Sequence, residues 1–558
     1  MTVTHEVFNQ VESLPDLHLL RINRPLRDGL RGLAPALDTR ALDALGAEMG
    51  SAAMRGHARL ANLHKPLLHA HDVTGRRVDQ VEFHPSYHVL LGTALRHGLH
   101  GAPWSGPPLA HLERAAGFML FTEAEPSVLC PVSMSYAVTA ALRANPALLR
   151  DWGPKIAGRA YGGEFAPMQR KAAVTMGMGM TEKQGGSDVR ANTTRAEFAA
   201  EDAWGRRYAI TGHKWFFSAP MCDAFLVLAQ AAGGLSCFFV PRWLPEGGVN
   251  PITVLRLKDK LGNHANASSE VEFDGTAGWL VGDEGRGVPQ ILEMGALTRL
   301  DCALGTAGLM RQALTLALHH TSQRHAFGKP LVAQPLMKNV LADLALESEA
   351  ATLLALRLAL AVDRTENAGR GSSDGADLAH ERVMRRLLTP IAKFWICKRG
   401  SHFAQEAMEC LGGNGYVEAG GEGAMARIYR EMPLNSIWEG AGNIMALDLL
   451  RALRGGDVNA AVEHELRAAA EAHPAVRRAV ASVLGRFDGS VHEAQARGLA
   501  RDVALLMQAA LLHRLAPAPV FEAFCASRLE AASDVFGALP ESADLDFLIE
   551  RALPVERH

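Results

Sequence analysis

The spacing of apolar positions changes three times along the chain. Over residues 1–170 they recur at helical intervals, as at Val89, Leu90, Ala94 and Leu95, between Gly/Pro-rich loops such as residues 101–108; this predicts helices. From 172 to 282 the pattern becomes short runs, Tyr208-Ala-Ile-Thr211, Ala224-Phe-Leu-Val-Leu228, Leu235-Ser-Cys-Phe-Phe-Val240 and the alternating Val271-Glu-Phe273, separated by Gly, Asn, Asp and Pro. Those are strands. After Gly287 helical spacing returns, at Met337, Leu341 and Leu344 and again at Leu353, Leu356 and Leu360, ahead of a Gly/Ser/Asp stretch at 369–375. A final change at Gly455 and Gly456 opens an alanine-rich, lysine-free segment of about a hundred residues that again reads as helical. The expected division is 1–170, 171–283, 284–455 and 456–558, an α+β multidomain chain.

Composition narrows the function classes. The 558 residues, 48% hydrophobic and 21% charged, have the make-up of a folded protein, which excludes disorder for the bulk of the chain. A net charge of −3 gives no general attraction to nucleic acid or an anionic membrane, so any such contact must be local. Seven scattered cysteines without a CxxC pair indicate neither a disulfide framework nor a thiolate metal site, which fits a reducing cytoplasm. The uncharged residues 126–142 are too short and too polar for a membrane span and read as core. Glu6, Glu12 and Asp16 make the start of the chain unlike a signal or transit peptide.

The densest chemical signal is Met178-Gly-Met-Thr-Glu-Lys-Gln-Gly-Gly-Ser-Asp188, placed where helices give way to strands. Small residues and hydroxyls let backbone N–H groups and Oγ atoms approach a polar ring edge or a phosphate. Alone, the run could equally be a Gly-rich turn.

Together with Gly212-His-Lys-Trp-Phe-Phe-Ser218, Lys260-Leu-Gly262, Arg324-His-Ala-Phe-Gly328, Leu411-Gly-Gly-Asn-Gly415 and Ile437-Trp-Glu-Gly440, in that order, the sequence resembles the acyl-CoA dehydrogenase family over residues 60–455. Asn192-Thr-Thr-Arg-Ala-Glu197, Asn435-Ser-Ile-Trp-Glu-Gly440, the N-terminal extension and the added C-terminal segment resemble its alkylation-response branch, across nearly the whole chain. The resemblance implies a helical domain, a β-barrel domain and a four-helix-bundle domain, plus an extra C-terminal helical domain. It also implies FAD between barrel and bundle, and a homotetramer built as a dimer of dimers.

Residue by residue, the resemblance implies that Thr181 and Ser218 hydrogen-bond the flavin ring, that Met178 and Met180 also bind the cofactor, and that Gly186 and Ser187 belong to its pyrophosphate loop. Phe216 stands where most relatives place a tryptophan; it and Phe217 are either cofactor contacts or barrel core. Arg324 and Phe327 match residues that reach a neighbouring subunit's flavin, and a permanently charged planar fork suits a diphosphate. Gly412, Gly413 and Asn414 approach the same diphosphate, and Asn443 replaces a glutamine near the adenylate. Gln334 is one residue out of the usual spacing and is left unassigned. Glu439 is the candidate base for the proton α to a thioester, the alternative being a solvated loop glutamate. Branched- and long-chain members instead carry a glutamate where Thr298 stands, so the base is Glu439 or none.

The implied function is FAD-dependent α,β-dehydrogenation of a short or branched acyl-CoA, with weak activity and an unassigned electron acceptor. Two other readings stay open: a DNA-binding protective flavoprotein, and a flavin-stabilised assembly without turnover. For DNA, residues 456–558 hold ten arginines and no lysine against fifteen acids, a balance of −5, but residues 474–528 carry +3. That local excess marks Arg477, Arg478, Arg486, Arg497 and Arg501 as a face for duplex phosphates, or as ordinary solvated helix residues. Gly371-Ser-Ser-Asp-Gly375 matches a nucleophile elbow formally but has no strand before it. His97 with His100, and His319 and His320 with His325, lack the carboxylates or cysteines that would complete a metal site, so no metal is expected.

Overall fold

The computed structural model describes residues 4–368, 377–418, 424–455, 457–487, 491–531 and 533–556. It forms two compact units, one of Gly56–Ala110 and Glu125–Asp301, the other of Met1–Arg55, His111–Ala124 and Cys302–His558. The first 170 residues therefore contribute to both.

In the first unit, β1 (Leu67–His71) and β2 (Arg77–Glu82) pair as an antiparallel hairpin in a stretch whose apolar spacing predicted mainly helices. Its strands, Leu-Leu-His-Ala-His and Arg-Val-Asp-Gln-Val-Glu, are short and place their five apolar residues without strict alternation, so the strand signal is weak. Seven strands follow: β3 (Met176–Gly179), β4 (Arg195–Asp202), β5 (Gly205–Ser218), β6 (Ala224–Ala231), β7 (Gly234–Pro241), β8 (Ile252–Leu257) and β9 (Ser268–Val281). The pairings β6–β4–β5–β9–β7 return to β6 and close the sheet into the expected barrel, with β3 added parallel to β6 and β8 antiparallel to β9. Closure leaves those five strands without a free edge. Phe217, Phe225 and Phe273 meet inside at ring separations of 4.3 and 6.1 Å. The helix Leu129–Leu142 packs on β3, and the helix Pro146–Ile156 places Trp152 against Phe239 at 4.9 Å. Asn145 caps that second helix through Leu148 N–H and also donates to the carbonyls of Trp204 and Leu280, fixing helix to barrel.

The second unit is helical. From Cys302 the helix Gly287–Gln323 belongs to it, joined by Pro335–Glu366, Leu378–Glu409, Ala424–Ile437 and Gly442–Ala452. Both apolar triplets read from the sequence lie on Pro335–Glu366, which is buried on all sides from Leu341 to Asp363. Its ionisable groups are consequently paired. Arg528 bridges Asp343 and Glu347, Arg551 holds Glu349 bidentately, and Arg357 joins Glu381 to Glu465. These contacts lock the added C-terminal helices onto the bundle, since removing one partner would leave a buried charge alone. The helix Ala496–Leu515 packs against Pro335–Glu366, Leu378–Glu409 and Gly442–Ala452. Among the described residues no helix is long and apolar enough to cross a membrane.

Candidate active site

Within the first unit, β3 delivers the Gly-rich run to the rim of the barrel. Glu182 is fully buried there and is held by Lys214 Nζ at 2.8 Å, the N–H groups of Thr193 and Thr194 at 2.7 and 3.1 Å, and Thr193 Oγ1 at 3.0 Å. Burial alone would push its carboxyl up. Lys214 and these donors outweigh it and hold Glu182 well below the usual carboxylate range. Asn192 donates to Met180 O at 2.9 Å, and Trp215 N–H to Thr181 O at 2.8 Å. These bonds fix the loop to the barrel strands. A Cβ on Gly186 would collide with Thr181 Oγ1, whereas one on Gly185, at φ +139°, would meet open space. Met178, Met180 and Thr181 are half-buried, and Gly186 and Ser187 are exposed.

The two adjacent phenylalanines separate. A register shift between Lys214 and Phe217 in the β5–β9 ladder breaks the two-residue alternation, so Phe217 turns inward while Trp215 and Phe216 stay on the outside. Phe217, read from the sequence as a cofactor contact or core, is core: it is fully buried and supports the strand from within. Phe216 is 53% exposed and Ser218 half-buried. Sequence reasoning did not assign Glu182 and Lys214. Their signal was a charged pair in two otherwise apolar or glycine-rich strings.

In the second unit, the helix ending at Gln323 runs into two short paired strands, His325–Ala326 and Lys329–Pro330, turned by Phe327 at φ +51° and Gly328 at φ +78°. Phe327 is 97% exposed. Arg324 donates one Nη to the carbonyl of Asn9, and among the described residues its other guanidinium nitrogens make no hydrogen bond. Gln334, left unassigned above, donates to Ala326 O at 2.8 Å and braces the turn. Gly412 has φ +60° and ψ −146°, a conformation open to glycine, and a Cβ on Gly412 or Gly413 would meet nothing within 4 Å. Asn414 is exposed beside them.

Glu439 follows the helix Ala424–Ile437 with φ +61°, and Gly440 follows with φ +101°. A glutamate in the left-handed region costs about 1–3 kcal/mol that glycine would avoid, so the surroundings must impose it. They do. Trp438 Nε1 donates to Asn435 Oδ1 at 2.9 Å, Asn435 donates to Thr306 Oγ1 at 3.1 Å, and buried Lys393 donates to Gly440 O at 2.6 Å. Lys398 lies against Gly442, and Arg497 donates to Asn443 Oδ1 at 2.9 Å. Burial, then the charges of Arg497 and Lys393, hold the Lys398 ammonium below its usual range. Lys393 and Lys398 carried no recognisable motif.

Of the five arginines considered for DNA, Arg477 and Arg478 are exposed, and Arg478 lies 3.7 Å from Glu530. Arg486 and Arg501 share Asp502 at 2.7 and 2.8 Å. Of the histidines weighed for a metal, His100 Nε2 is 2.6 Å from Gly158 O, His319 Nε2 is 2.8 Å from Glu12 O, and His325 Nδ1 is 2.9 Å from Gln323 O. Gly371-Ser-Ser-Asp-Gly375 lies outside the described residues. All seven cysteines are buried, and among the described residues none forms a disulfide. Thr298 donates to Gly295 O within its own helix.

A closed barrel bearing a hydroxyl- and glycine-rich loop, and a helical bundle bearing an arginine hairpin and a strained glutamate, define the acyl-CoA dehydrogenase class. Residues 9–163 match the adaptive response protein AidB N-terminal domain, 177–276 the acyl-CoA dehydrogenase middle domain, and 285–454 its C-terminal domain. AidB of Escherichia coli (strain K12) is 48% identical over 81% of this chain and 80% of its own length. Acyl-CoA dehydrogenase family member 11 of Caenorhabditis elegans is 31% identical over 71% of this chain and 64% of its own. The solved structure of Caenorhabditis elegans ACDH-11 in complex with C11-CoA, 25% identical, superposes with a TM-score of 0.80 over 99% of this chain and 94% of that one. The chain belongs to the acyl-CoA dehydrogenase family, as a member of its AidB type.

Proposed function

We propose that the protein is an FAD-dependent oxidoreductase that carries out α,β-dehydrogenation of a short or branched acyl-CoA. The observation that carries this reading is Glu439, a carboxylate kept at φ +61° by bonds from both flanking sides. The donor set fits FAD: hydroxyls at Thr181, Ser187 and Ser218, glycine faces open at Gly185, Gly412 and Gly413, and an Arg324 fork with an unused edge. Bound FAD would supply the acceptor for the hydride leaving the β-carbon. Glu439 would take the α-proton, and a carboxylate is basic enough for this when the thioester carbonyl acidifies that carbon. Thr181 and Ser218 would orient the ring edge, Phe216 would cover a ring face, and Asn414 and Asn443 would add polar contacts.

Exposed Phe327, beside the half-buried Arg324, supports a homotetramer, a dimer of dimers in which the hairpin serves a second copy of the chain. The absence of disulfides among seven buried cysteines agrees with a cytoplasmic site of action. A second reading, weak contact with duplex DNA, is favoured by the exposed Arg477 and Arg478.

Anaerobic titration with a panel of acyl-CoAs, following loss of flavin absorbance, tests the assignment. Bleaching by at least one thioester is expected, and Glu439→Gln should retain flavin but stay unbleached. Bleaching of that variant at the wild-type rate would remove Glu439 from the reaction.

A further inference from the structure

The N-terminal segment grips the arm that bears Arg324. Asn9, itself at φ +53°, accepts from Arg324 Nη1 through its carbonyl. Its side-chain Nδ2 donates to His325 O and its Oδ1 accepts from His325 N–H, both at 2.9 Å. Three residues on, Glu12 N–H donates to Gln323 Oε1 at 3.0 Å, and Glu12 O lies 2.8 Å from His319 Nε2. The amide of Asn9 thus pairs with both backbone groups of one residue, and two parallel bonds fix rotation as well as position.

The arm needs that support. A hairpin of two-residue strands is not stable on its own, and its tip, Phe327 and Gly328, projects into solvent. Gln334 to Ala326 O and Leu331 N–H to Arg324 O brace its C-terminal side, and Arg324 N–H to His320 O joins it to the preceding helix. Asn9 holds the other side, next to the guanidinium.

We propose that Asn9 is a positioning residue for dinucleotide binding: it fixes the Arg324 fork in place, so the N-terminal extension controls flavin retention. This rests on the assignment of Arg324 to the FAD diphosphate made above. The cost of binding falls when the arginine is already oriented before the ligand arrives.

Two measurements on the flavin-free protein test it, with Asn9→Ala, Asn9→Asp, Arg324→Ala and the Asn9→Ala/Arg324→Ala double variant. Backbone hydrogen exchange should show the His325 amide of Asn9→Ala exchanging about tenfold faster, with partial protection restored in Asn9→Asp, which keeps the acceptor. FAD titration should show affinity falling about tenfold in Asn9→Ala, and the double variant binding no worse than Arg324→Ala. Unchanged exchange or unchanged affinity in Asn9→Ala, beside a defective Arg324→Ala, overturns the proposal alone. Unchanged affinity in Arg324→Ala removes the arginine from the flavin site, and the proposal with it. An unaltered circular dichroism spectrum of Asn9→Ala separates either result from misfolding.

Discussion

Arg497 donates through Nη1 to Asn443 Oδ1 at 2.9 Å, with its guanidinium carbon 5.6 Å from the centre of the Phe394 ring. One residue was expected to face DNA phosphates and the other an adenylate, yet the two are bonded to each other. The bond ties this arginine to Asn443, and its charge acts on Lys398 together with that of Lys393. Arg497→Ala should therefore weaken FAD binding several-fold while leaving duplex affinity within about twofold. Fluorescence titrations with FAD and with a labelled duplex decide this; the opposite pattern would return Arg497 to the DNA face.

The Glu182–Lys214 pair gives a second expectation. Both side chains are fully buried, so Glu182→Gln strands an ammonium inside the barrel and should destabilise the protein by about 3–5 kcal/mol. Glu182→Gln/Lys214→Met removes both charges and should recover much of that loss. Denaturant unfolding followed by intrinsic fluorescence measures both, and a double variant as unstable as the single one would show that the loop depends on the carboxylate's hydrogen bonds rather than on charge balance.

What the sequence revealed follows from how far each signal reaches. β6 and β7 were legible because strands buried along their length read as unbroken apolar runs, and Pro335–Glu366 because its spacing persists over many turns. The β1–β2 hairpin was not, its strands being short and without strict apolar alternation. Which of Phe216 and Phe217 points inward depends on a local bulge, and alternation alone places the wrong one in the core. The gathering of distant segments into one helical unit rests on contacts such as Arg528–Asp343, 185 residues apart, which no local pattern encodes. Glu439 was found by motif. The positive φ that makes it unusual, and the grip of Lys393 on Gly440 O, are three-dimensional facts.

Glu123 is a buried acid that no proposed chemistry uses. Burial pushes its carboxyl up to about 8, against the opposing influence of Arg311 and then Asn23. The folded protein therefore holds this proton more tightly than the unfolded chain, whose glutamates titrate near the ordinary value. Stability should fall as pH rises from about 5 to about 8, and no such penalty exists below the unfolded value. Glu123→Gln keeps the shape and removes the proton. Its unfolding free energy, read by denaturant titration at each pH, should match wild type near pH 5 and exceed it near pH 8 by on the order of a few kcal/mol. A difference between variant and wild type that does not change with pH would mean Glu123 is ionised in the fold.

The DNA reading turns on how many arginines are unencumbered. Among the described residues Arg477 has neither an ion pair nor a side-chain hydrogen bond, and Arg478 has only a long contact with Glu530. Asp502 occupies both Arg486 and Arg501. A face with two available cations should bind duplex weakly and without sequence preference, and its log K should fall with log salt at a slope near −2, each neutralised phosphate contributing about −0.9. Arg477→Glu/Arg478→Glu should abolish that slope. Asp502→Asn should do the reverse, freeing Arg486 and Arg501 to steepen the slope and tighten binding, because the acid that now neutralises them is gone. Fluorescence anisotropy of a labelled duplex between about 50 and 200 mM salt separates these outcomes. If Asp502→Asn leaves binding unchanged while the double variant abolishes it, the contact is confined to Arg477 and Arg478; if wild type shows no binding at the low-salt end, the arginines are solvated helix residues and the protein acts through its flavin site alone.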